Sequence, residues 1–388
     1  MKFPLNNSSM LSQIKVRHWW LGVLLWMFLI VPAQASVILR VAIKQDVKQV
    51  KVGSSTAAVI KDGNGRSLGE LPAREAYYAQ AVSGGVALNK WKSPLFWIEP
   101  KGKGFVYIGN KWYRGRTLVI PTEKGLTAVN WVDLEEYLYS VLGGEMDARW
   151  HPEALKAQAI AARSYALYRR QRQQTNPLYD IGATPDKWQI YPGVAREHPK
   201  IYAAVDATAG QVLTHNNQII ESVFHACSGG HTENVEDVWG NKLAYLRAVP
   251  DFDLNTPNLA KIAPKCQWQK TFSPTQISQK FPEVGNITEI KPVEFSPFNS
   301  VKKLRIVGEK GTKELKGEQV RTALKLNSTR FIVNKSNNNT FVLQGRGWGH
   351  GLGMSQYGAR YLATQGYNHL QILNHYYRNV ALAPIQVK

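Results

Sequence analysis

The stretch GGEMDARWHPEALKAQAIAARSYALYRR, residues 143–170, decides the fold of this chain. From Pro152 onward it predicts a long helix, because alanine and unbranched residues are strong helix formers and proline fits a first helical turn. Its small side chains predict close packing against neighbouring elements. We therefore expect an α+β fold, in which mixed sheets surround a central alanine-rich helix.

A shorter helix is predicted just before this stretch. Asp133 fits its N-cap, and Glu136 three residues later completes a capping-box pattern. Gly143 fits the position just past its end. Glu145 would then lie between two rigid helices, a placement that suits a catalytic group.

Arg163 lies on an otherwise small and apolar face of the long helix. A guanidinium in such surroundings needs an anionic partner, either Glu145 or an anionic substrate. A purely structural ion pair under a packed helix explains the same residues, and both interpretations stay open at this point.

The composition indicates a folded and strongly basic protein. Hydrophobic residues make up 44% of the 388 residues and charged residues 20%, which allows a packed core. The 48 basic and 28 acidic residues give a net charge of +20. A positive field of this size attracts polyanions.

The N-terminal residues 1–35 predict a secretory signal peptide. Lys15 and Arg17 precede an apolar run at 19–31, and an A-x-A-type cleavage site follows at 33–35. If the signal stays uncleaved, the protein is peripheral to the membrane. Export makes an acidic cell envelope the expected partner and nucleic acid an unexpected one. We predict a β-rich module over 36–110 and the main domain over 111–384.

His225, Cys227 and His231 stand in a glycine-rich segment at spacings that a loop can gather around one metal ion. Zinc favours thiolate and imidazole ligands. The spacing matches no established zinc pattern, and an exported chain with two cysteines can instead form a Cys227–Cys266 disulfide. Both alternatives remain open.

Glycine occupies every second position from 345 to 353. This period predicts an extended strand with one bare face, where a ligand or another backbone approaches closely. Arg346, Trp348 and His350 would line the other face, which favours a binding groove over a packing strand. Ser355 is expected to cap a helix that carries Gln356 and Tyr357.

A single carboxyl group can serve glycosidic bond cleavage if a partly closed site raises its pKa. Glu145 fits this role, whereas Asp147 and Glu153 fit helix-start positions better. One acid is sufficient when a hydroxyl of the sugar itself attacks, and the product is then an anhydro sugar.

Four stretches of the chain resemble the stage II sporulation protein D (SpoIID) family, which includes LytB-type amidase enhancers. They are WVDLEEYLYSVLGGEM (131–146), PEALKAQAIAARSYAL (152–167), FHACSGGHTENVEDVW (224–239) and GRGWGHGLGMSQYGA (345–359). They occur in the family's order, and the resemblance spans residues 113–382. The β-rich module lies outside it.

The resemblance implies a lytic transglycosylase that cuts MurNAc–GlcNAc bonds of peptidoglycan strands without stem peptides. Glu145 matches the family's catalytic acid, and Arg163 matches an arginine assigned to substrate binding. With the surrounding residue types, the candidate substrate-binding residues are Arg163, Gln189, Tyr191, Ser228, Gly229, Gly230, His350, Gln356 and Tyr357.

The remaining expectations concern cofactors, partners and location. We expect no required cofactor. Some family members bind zinc, so a zinc ion is the alternative expectation. Peptidoglycan glycan strands are the expected partner, with a cell-wall amidase as a second one. We expect an exported monomer, periplasmic or associated with the cell wall. The alternative function is a non-catalytic glycan-binding module that enhances an amidase.

Overall fold

A computed structural model describes residues 36–173, 176–184, 187–252, 263–336 and 339–386. The predicted signal peptide, residues 1–35, lies outside the described residues. None of the described helices is long and apolar enough to cross a membrane.

The first part of the described chain is entirely β-structure. Its strands are β1 (Ile38–Val47), β2 (Gln49–Ser54), β3 (Ala58–Lys61), β4 (Ser67–Leu71), β5 (Ala76–Val82), β6 (Gly85–Leu88), β7 (Trp91–Ser93), β8 (Phe96–Pro100), β9 (Val106–Ile108), β10 (Lys111–Tyr113), β11 (Arg116–Thr122) and β12 (Gly125–Asp133).

Three helices and one short strand follow. They are α1 (Leu134–Glu145), α2 (Pro152–Arg172), β13 (Ile181–Gly182) and α3 (Pro199–Asp206). Asp133 caps α1 as predicted, because its Oδ1 accepts from the backbone N–H groups of Glu135 and Glu136. The Glu136 carboxylate lies near Arg114 instead, at 3.6 Å.

The rest of the chain alternates short strands and helices. They are β14 (Gln211–His215), β15 (Gln218–Ile219), β16 (Phe224–His225), α4 (Val235–Val238), β17 (Gln267–Phe272), α5 (Pro274–Ser278), β18 (Ile287–Phe295), β19 (Val301–Gly308), β20 (Gly311–Lys316), α6 (Gly317–Ala323), β21 (Phe331–Lys335), β22 (Phe341–Arg346), β23 (Met354–Ser355), α7 (Gln356–Thr364), α8 (His369–Tyr376) and β24 (Ala381–Pro384).

Two large sheets form the N-terminal part. One has the strand order β13-β1-β12-β11-β8-β3-β4, and the other has the order β10-β9-β2-β5-β6-β7. In the first sheet β1 pairs antiparallel with β12, and β11 pairs antiparallel with both β12 and β8. Strands from both sides of residue 110 therefore share one sheet. The domain boundary at that residue stays a prediction.

Helix α2 lies at the centre of the main core, and this confirms the predicted α+β class. Its alanines at 154, 157, 159, 161, 162 and 166 are fully buried. Small side chains let α2 contact α1, α3, α7, α8 and β14. Alanine thus supplies both helix propensity and the space for neighbours on several sides.

Residues 267–346, which we call the second lobe, have a hydrophobic core of their own. Buried side chains from α5, the sheet β18-β19-β20 and the sheet β17-β22-β21 form it. The first residue of the lobe, Gln267, pairs with its last residue, Arg346, and the N–H of Gly347 donates to the carbonyl of Cys266. Both ends of the lobe therefore lie side by side.

The predicted extended glycine strand is wrong beyond Arg346. Strand β22 ends there, and glycines 347, 349, 351 and 353 all have positive φ angles between 63° and 114°. The segment is a looped path instead of a strand, because glycine adopts this left-handed region with little cost. Ser355 caps α7 as expected, accepting from the N–H of Gly358.

Candidate active site

Glu145 is the last residue of α1, so the helix extends two residues beyond the predicted end at Gly143. Gly143 and Gly144, the two residues before it, have helical backbone angles. They are needed because another segment of the chain packs directly against their Cα atoms. A Cβ at Gly143 would overlap the carbonyl oxygen of Arg196, and one at Gly144 would press on Ile190 and Pro192. The pair therefore brings the loop at 190–196 against the end of α1.

Two uncharged donors hold the half-buried Glu145 carboxylate. The backbone N–H of Ile190 donates to Oε1 over 3.2 Å, and Nε2 of Gln356 donates to Oε2 over 3.0 Å. Among the residues that the structure describes, no Lys, Arg or His lies within ion-pair distance of this carboxylate. Its charge is thus met by hydrogen bonds alone.

The surroundings of Glu145 favour its protonated form. Burial raises the pKa of this carboxyl above its usual value, and the two hydrogen bonds lower it only in part. The negative end of the α1 dipole adds to the burial effect, because it disfavours an anion at a helix C-terminus. A carboxyl of this kind can carry a proton to a substrate oxygen.

The surroundings of the two neighbouring acids, Asp147 and Glu153, favour the ionised form instead. Hydrogen bonds from Arg149 lower the pKa of Asp147 to about 2. Burial would raise the pKa of Glu153, but hydrogen bonds from Lys156 and His369 outweigh it and lower that pKa to about 2. Both stay ionised and ion-paired near neutral pH, so Glu145 is the acid of this stretch whose protonated form is favoured.

Two aromatic rings pack together at the start of α7, where Gln356 donates to this carboxyl. The rings of Trp150 and Tyr357 lie 5.1 Å apart, and the guanidinium of Arg360 lies 5.1 Å from the Trp150 ring. Tyr357 follows Gln356 directly and is held by a hydrogen bond from its N–H to the carbonyl of Ala226. Half-buried aromatic faces of this kind can stack on the apolar face of a sugar ring.

Arg163 does not reach Glu145 or an open surface. Its side chain is fully buried, and Nη2 and Nε donate to the two carboxylate oxygens of Glu135 over 2.6 and 2.8 Å. Two further donations go to the backbone carbonyls of Val205 and Gln211. The structure therefore places Arg163 in an ion pair with Glu135 instead of Glu145, and its contact with a substrate stays a prediction.

Gln189 and Tyr191 are also buried, and so they do not present side chains to a ligand. Gln189 accepts from the hydroxyl of Tyr137 and donates to the carbonyl of Ala162, while Tyr191 donates to Asn130. They anchor the loop on both sides of Ile190. Their role here is to position the N–H group that binds Glu145.

The glycine-rich loop at 228–230 packs on the looped path that follows β22. Ser228 is buried, and its hydroxyl donates to Asp251 over 2.5 Å. A Cβ at Gly229 would overlap the backbone at 346–347, whereas Gly230 faces open space. Of these three predicted binding residues, Gly230 is the one at which an added Cβ would meet no other atom.

The predicted groove along the alternating glycines is filled by the protein. The Trp268 indole covers Gly345, the backbone of 227–228 covers Gly347, and His225 covers Gly349. His350 is held between the carbonyl of Phe224 and the N–H of Leu352. Burial lowers its pKa to about 4. These glycines thus serve close packing, and His350 faces protein groups.

The predicted zinc ligands do not fit a zinc ion in this arrangement. Cys227 and Cys266 form a disulfide, and a disulfide sulfur is not the thiolate that zinc prefers. Nδ1 of His225 contacts the carbonyl of Leu352, and the ring of His231 stacks on Phe298 at 3.8 Å. Within the described ranges no three His, Cys, Asp or Glu residues converge as a metal site.

Sequence reasoning missed three residues that the tertiary structure makes important. Ile190 acts through its backbone, which no side-chain motif reveals. Glu135 lies next to the α1 cap and reads as an ordinary first-turn acid. Asp251 is half-buried and receives hydrogen bonds from Ser228 and Tyr376, and no local pattern in the sequence marks it.

The structure describes an α+β protein in which the half-buried carboxyl of Glu145 lies at a helix end. A family model described as Stage II sporulation protein (SpoIID) matches residues 122–215. Stage II sporulation protein D of Bacillus subtilis (strain 168) is 35% identical over 273 residues, covering 65% of this chain and 75% of the relative. That of Bacillus amyloliquefaciens is 34% identical over 276 residues, covering 65% and 74%. The chain belongs to the stage II sporulation protein D family.

Two further similarities concern a more distant relative and the second lobe. The amidase enhancer of Bacillus subtilis (strain 168) is 26% identical over 295 residues, which cover 63% of this chain and 40% of the relative. A second model, a domain of unknown function (DUF8618), matches residues 264–353. That match coincides with the second lobe and includes only the first part of the glycine-rich motif at 345–359.

Proposed function

We propose that the protein is a lytic transglycosylase that cleaves MurNAc–GlcNAc bonds of peptidoglycan strands without stem peptides. Family membership and the amidase-enhancer relative support a cell-wall-related role. The observation that carries the finer proposal is the Glu145 carboxyl. It is half-buried, has a raised pKa and receives only uncharged donors.

The reaction needs one acid that later acts as a base. Glu145 gives its proton to the glycosidic oxygen, the bond from that oxygen to the MurNAc C1 breaks, and positive charge develops at C1. The C6 hydroxyl of the same sugar attacks C1, and its proton passes to the Glu145 carboxylate. The products are a free GlcNAc hydroxyl and a 1,6-anhydro-MurNAc end, and the acid is restored without water.

The two donors at Glu145 suit both halves of this cycle. The N–H of Ile190 and Nε2 of Gln356 stabilise the carboxylate that exists between the two proton transfers. Neither brings a positive charge, which would lower the pKa and remove the proton beforehand. Trp150 and Tyr357 supply the aromatic surface for a sugar ring.

The direct test is to incubate the purified protein with peptide-free glycan strands and to identify anhydro ends by mass spectrometry. Glu145→Gln should lower the rate by about 10² to 10⁴-fold, the usual contribution of a general acid. Asp147→Asn is the matched control, because this neighbouring acid is ion-paired with Arg149. Undiminished cleavage by the Glu145→Gln variant would refute the assignment.

A second candidate function is a non-catalytic glycan-binding module that enhances a cell-wall amidase. The similarity to an amidase enhancer favours it. This alternative predicts strand binding without anhydro products and stimulation of an amidase that survives in the Glu145→Gln variant. Comparing the wild-type protein with the Glu145→Gln variant therefore distinguishes the two candidate functions.

Both candidates place the protein at the cell wall, exported from the cytoplasm. Fractionation of cells that make the full chain would test this location, with N-terminal sequencing to find whether residues 1–35 are removed. Retention of the intact chain in the cytoplasm would contradict it.

A further inference from the structure

A cavity of about 1190 Å³ lies between the second lobe and the loop at 229–231, and its lining does not include Glu145 or Gln356. Its lining residues come from β17, β22, the start of β21 with the residue before it, the end of β18 with the loop after it, and the 229–231 loop. They are Gly229, His231, Gln267, Trp268, Gln269, Phe295, Pro297, Phe298, Asn299, Arg330, Phe331, Ile332, Gln344, Gly345 and Arg346. A cavity of this size exceeds a single small-molecule pocket and can take several sugar units.

One face of the sheet β17-β22-β21 provides the polar part of the lining. Gln267 pairs with Arg346, and Gln269 pairs with Gln344, which pairs in turn with Ile332. Residues directly opposite each other point to the same face, so these five exposed side chains lie together. The amide of Gln344 donates to that of Gln269 over 2.9 Å. Each amide keeps further donor and acceptor capacity, which matches the paired hydroxyls of a sugar.

Aromatic rings provide the apolar part. Phe295 is 48% exposed at the end of β18, and Phe298 stacks on His231 in the adjoining loop. The Trp268 indole lies over Gly345 and donates to the hydroxyl of Ser328. Exposed rings of this size bury apolar area only when a ligand covers them.

The charge of the lining has one sign. It contains two arginines and no Asp or Glu. Arg330 is mostly buried and committed to Glu233 and to the carbonyls of Ser228 and His231. Arg346 is exposed, and within the described ranges it makes no ion pair and no side-chain hydrogen bond. A free guanidinium between amides is a ready partner for a carboxylate.

We propose that this cavity is a second glycan-binding site, which holds a segment of a carboxylate-bearing glycan strand while another part of the strand lies at Glu145. The identity of the strand rests on the proposed function. Aromatic rings take the sugar faces, the Gln267, Gln269 and Gln344 amides take hydroxyls, and Arg346 takes a carboxylate.

The cavity is connected to the Glu145 site through one short loop. Gly229 packs on the backbone of Arg346 and Gly347, and Ala226, three residues earlier, accepts from the N–H of Tyr357. Gln356, the neighbour of Tyr357, donates to Glu145. The loop at 226–229 therefore contacts both the backbone at the cavity and the helix that carries Gln356.

The test measures binding without cleavage by using Glu145→Gln as the parent protein. The probes are peptide-free glycan strands, the same strands with their carboxylates reduced to alcohols, and an acidic peptide of similar length. Arg346→Gln should weaken binding of the carboxylated strands by about tenfold, the scale of one charge-assisted hydrogen bond, and leave the reduced strands unaffected. Phe295→Ala should weaken both kinds of strand.

The matched control is Arg305→Gln, an exposed arginine of the same lobe that lies outside the cavity lining and pairs with Glu314. It should bind like the parent, and unchanged melting temperatures would show that all variants fold. Equal binding of carboxylated and reduced strands, tighter binding of the acidic peptide, or no loss in Arg346→Gln would each overturn the proposal. Anhydro products, followed separately with Glu145 intact, report on the proposed function, so the failure of one is distinguishable from the failure of the other.

Discussion

Arg163 lies in the middle of α2 with both oxygens of Glu135 against its guanidinium, whereas Glu145 has only uncharged donors. The arginine is fully buried, and its charge is balanced where it lies. The glutamate is half-buried and its charge is not balanced by a cation. At the scale of single residues, this difference gives the ion pair a structural role and leaves Glu145 as the carboxyl that no cation among the described residues stabilises.

The first prediction concerns the pH dependence of stability at Glu145. Its pKa is raised in the folded state, so its contribution is fully favourable below the unfolded value of about 4.5 and is lost as pH rises through the folded pKa. Relative to the wild type, Glu145→Gln should gain stability as pH rises through this window and show a constant gain above it. Urea denaturation at a series of pH values measures the difference.

A difference between the two proteins that does not change with pH would contradict the raised pKa. Asp147→Asn gives the opposite sign as a control, because the pKa of Asp147 is lowered to about 2. Its charge contributes stability that is present above the unfolded pKa and is lost as pH falls toward 2.

The second prediction concerns Arg163. Arg163→Met should lower the free energy of unfolding by about 3 kcal/mol, because removing one partner of a buried pair leaves the other uncompensated. Replacing Glu135 by Gln in the same protein should restore part of this loss. Denaturant unfolding of the single and double variants measures both effects.

Arg170→Met is the control. Arg170 is half-exposed, and its Nε comes no closer than 3.9 Å to the carboxylate of Asp180, so this ion pair is weak. It should change the free energy of unfolding by less than about 1 kcal/mol. Normal stability with reduced strand cleavage in Arg163→Met would instead support the predicted contact with substrate.

At the scale of elements, the junction between α1 and the loop at 190–196 decides the geometry of the site. Gly143 and Gly144 have no side chains, so the loop can pack against them. In this position the N–H of Ile190 donates a hydrogen bond to Glu145. The alanines of α2 also shape the site, because they let α1, α3, α7 and α8 approach α2 closely.

The third prediction tests this junction. Alanine normally stabilises a helix relative to glycine by about 0.5–1 kcal/mol, but at Gly143 the added Cβ would overlap the carbonyl of Arg196. The overlap should dominate, so that Gly143→Ala lowers the free energy of unfolding by about 1–3 kcal/mol. Displacement of the loop should also lower strand cleavage.

Gly63→Ala is the control, because a Cβ there meets only Leu95 at 3.4 Å or more. Thermal unfolding and the anhydro-product assay on both variants complete the comparison. If Gly143→Ala is as stable and active as Gly63→Ala, the close approach does not position Ile190.

For the whole molecule, two hydrophobic cores meet around the glycine-rich segments. The Cys227–Cys266 disulfide joins the loop after β16 to the start of the second lobe. The N–H of Gly347 donates to the carbonyl of Cys266, and Cys227 exchanges two backbone hydrogen bonds with Trp348. The disulfide and these hydrogen bonds connect the lobe to the segment that carries Gln356.

The fourth prediction follows from this connection. Replacing both cysteines by serine should lower the free energy of unfolding by about 4 kcal/mol, the chain-entropy value for a loop of this length, given the separation of 39 residues. Denaturant unfolding measures the loss, and the wild type in reductant should match the double variant. Elemental analysis of the oxidised protein belongs to the same experiment, because one zinc per chain would contradict the disulfide arrangement.

The sequence determined the local features of this protein by itself. The strong helix formers predicted α2, and Asp133 and Ser355 predicted the starts of two helices. The family motifs predicted where Glu145 stands. These features could be predicted because each depends on residues that are close together in the sequence. The sequence did not distinguish the two roles of Arg163 or the two roles of the glycines at 345–353. Those depend on Glu135, Trp268 and other residues far away in the chain. Only the tertiary structure decided these, since burial and hydrogen-bond partners are set by packing.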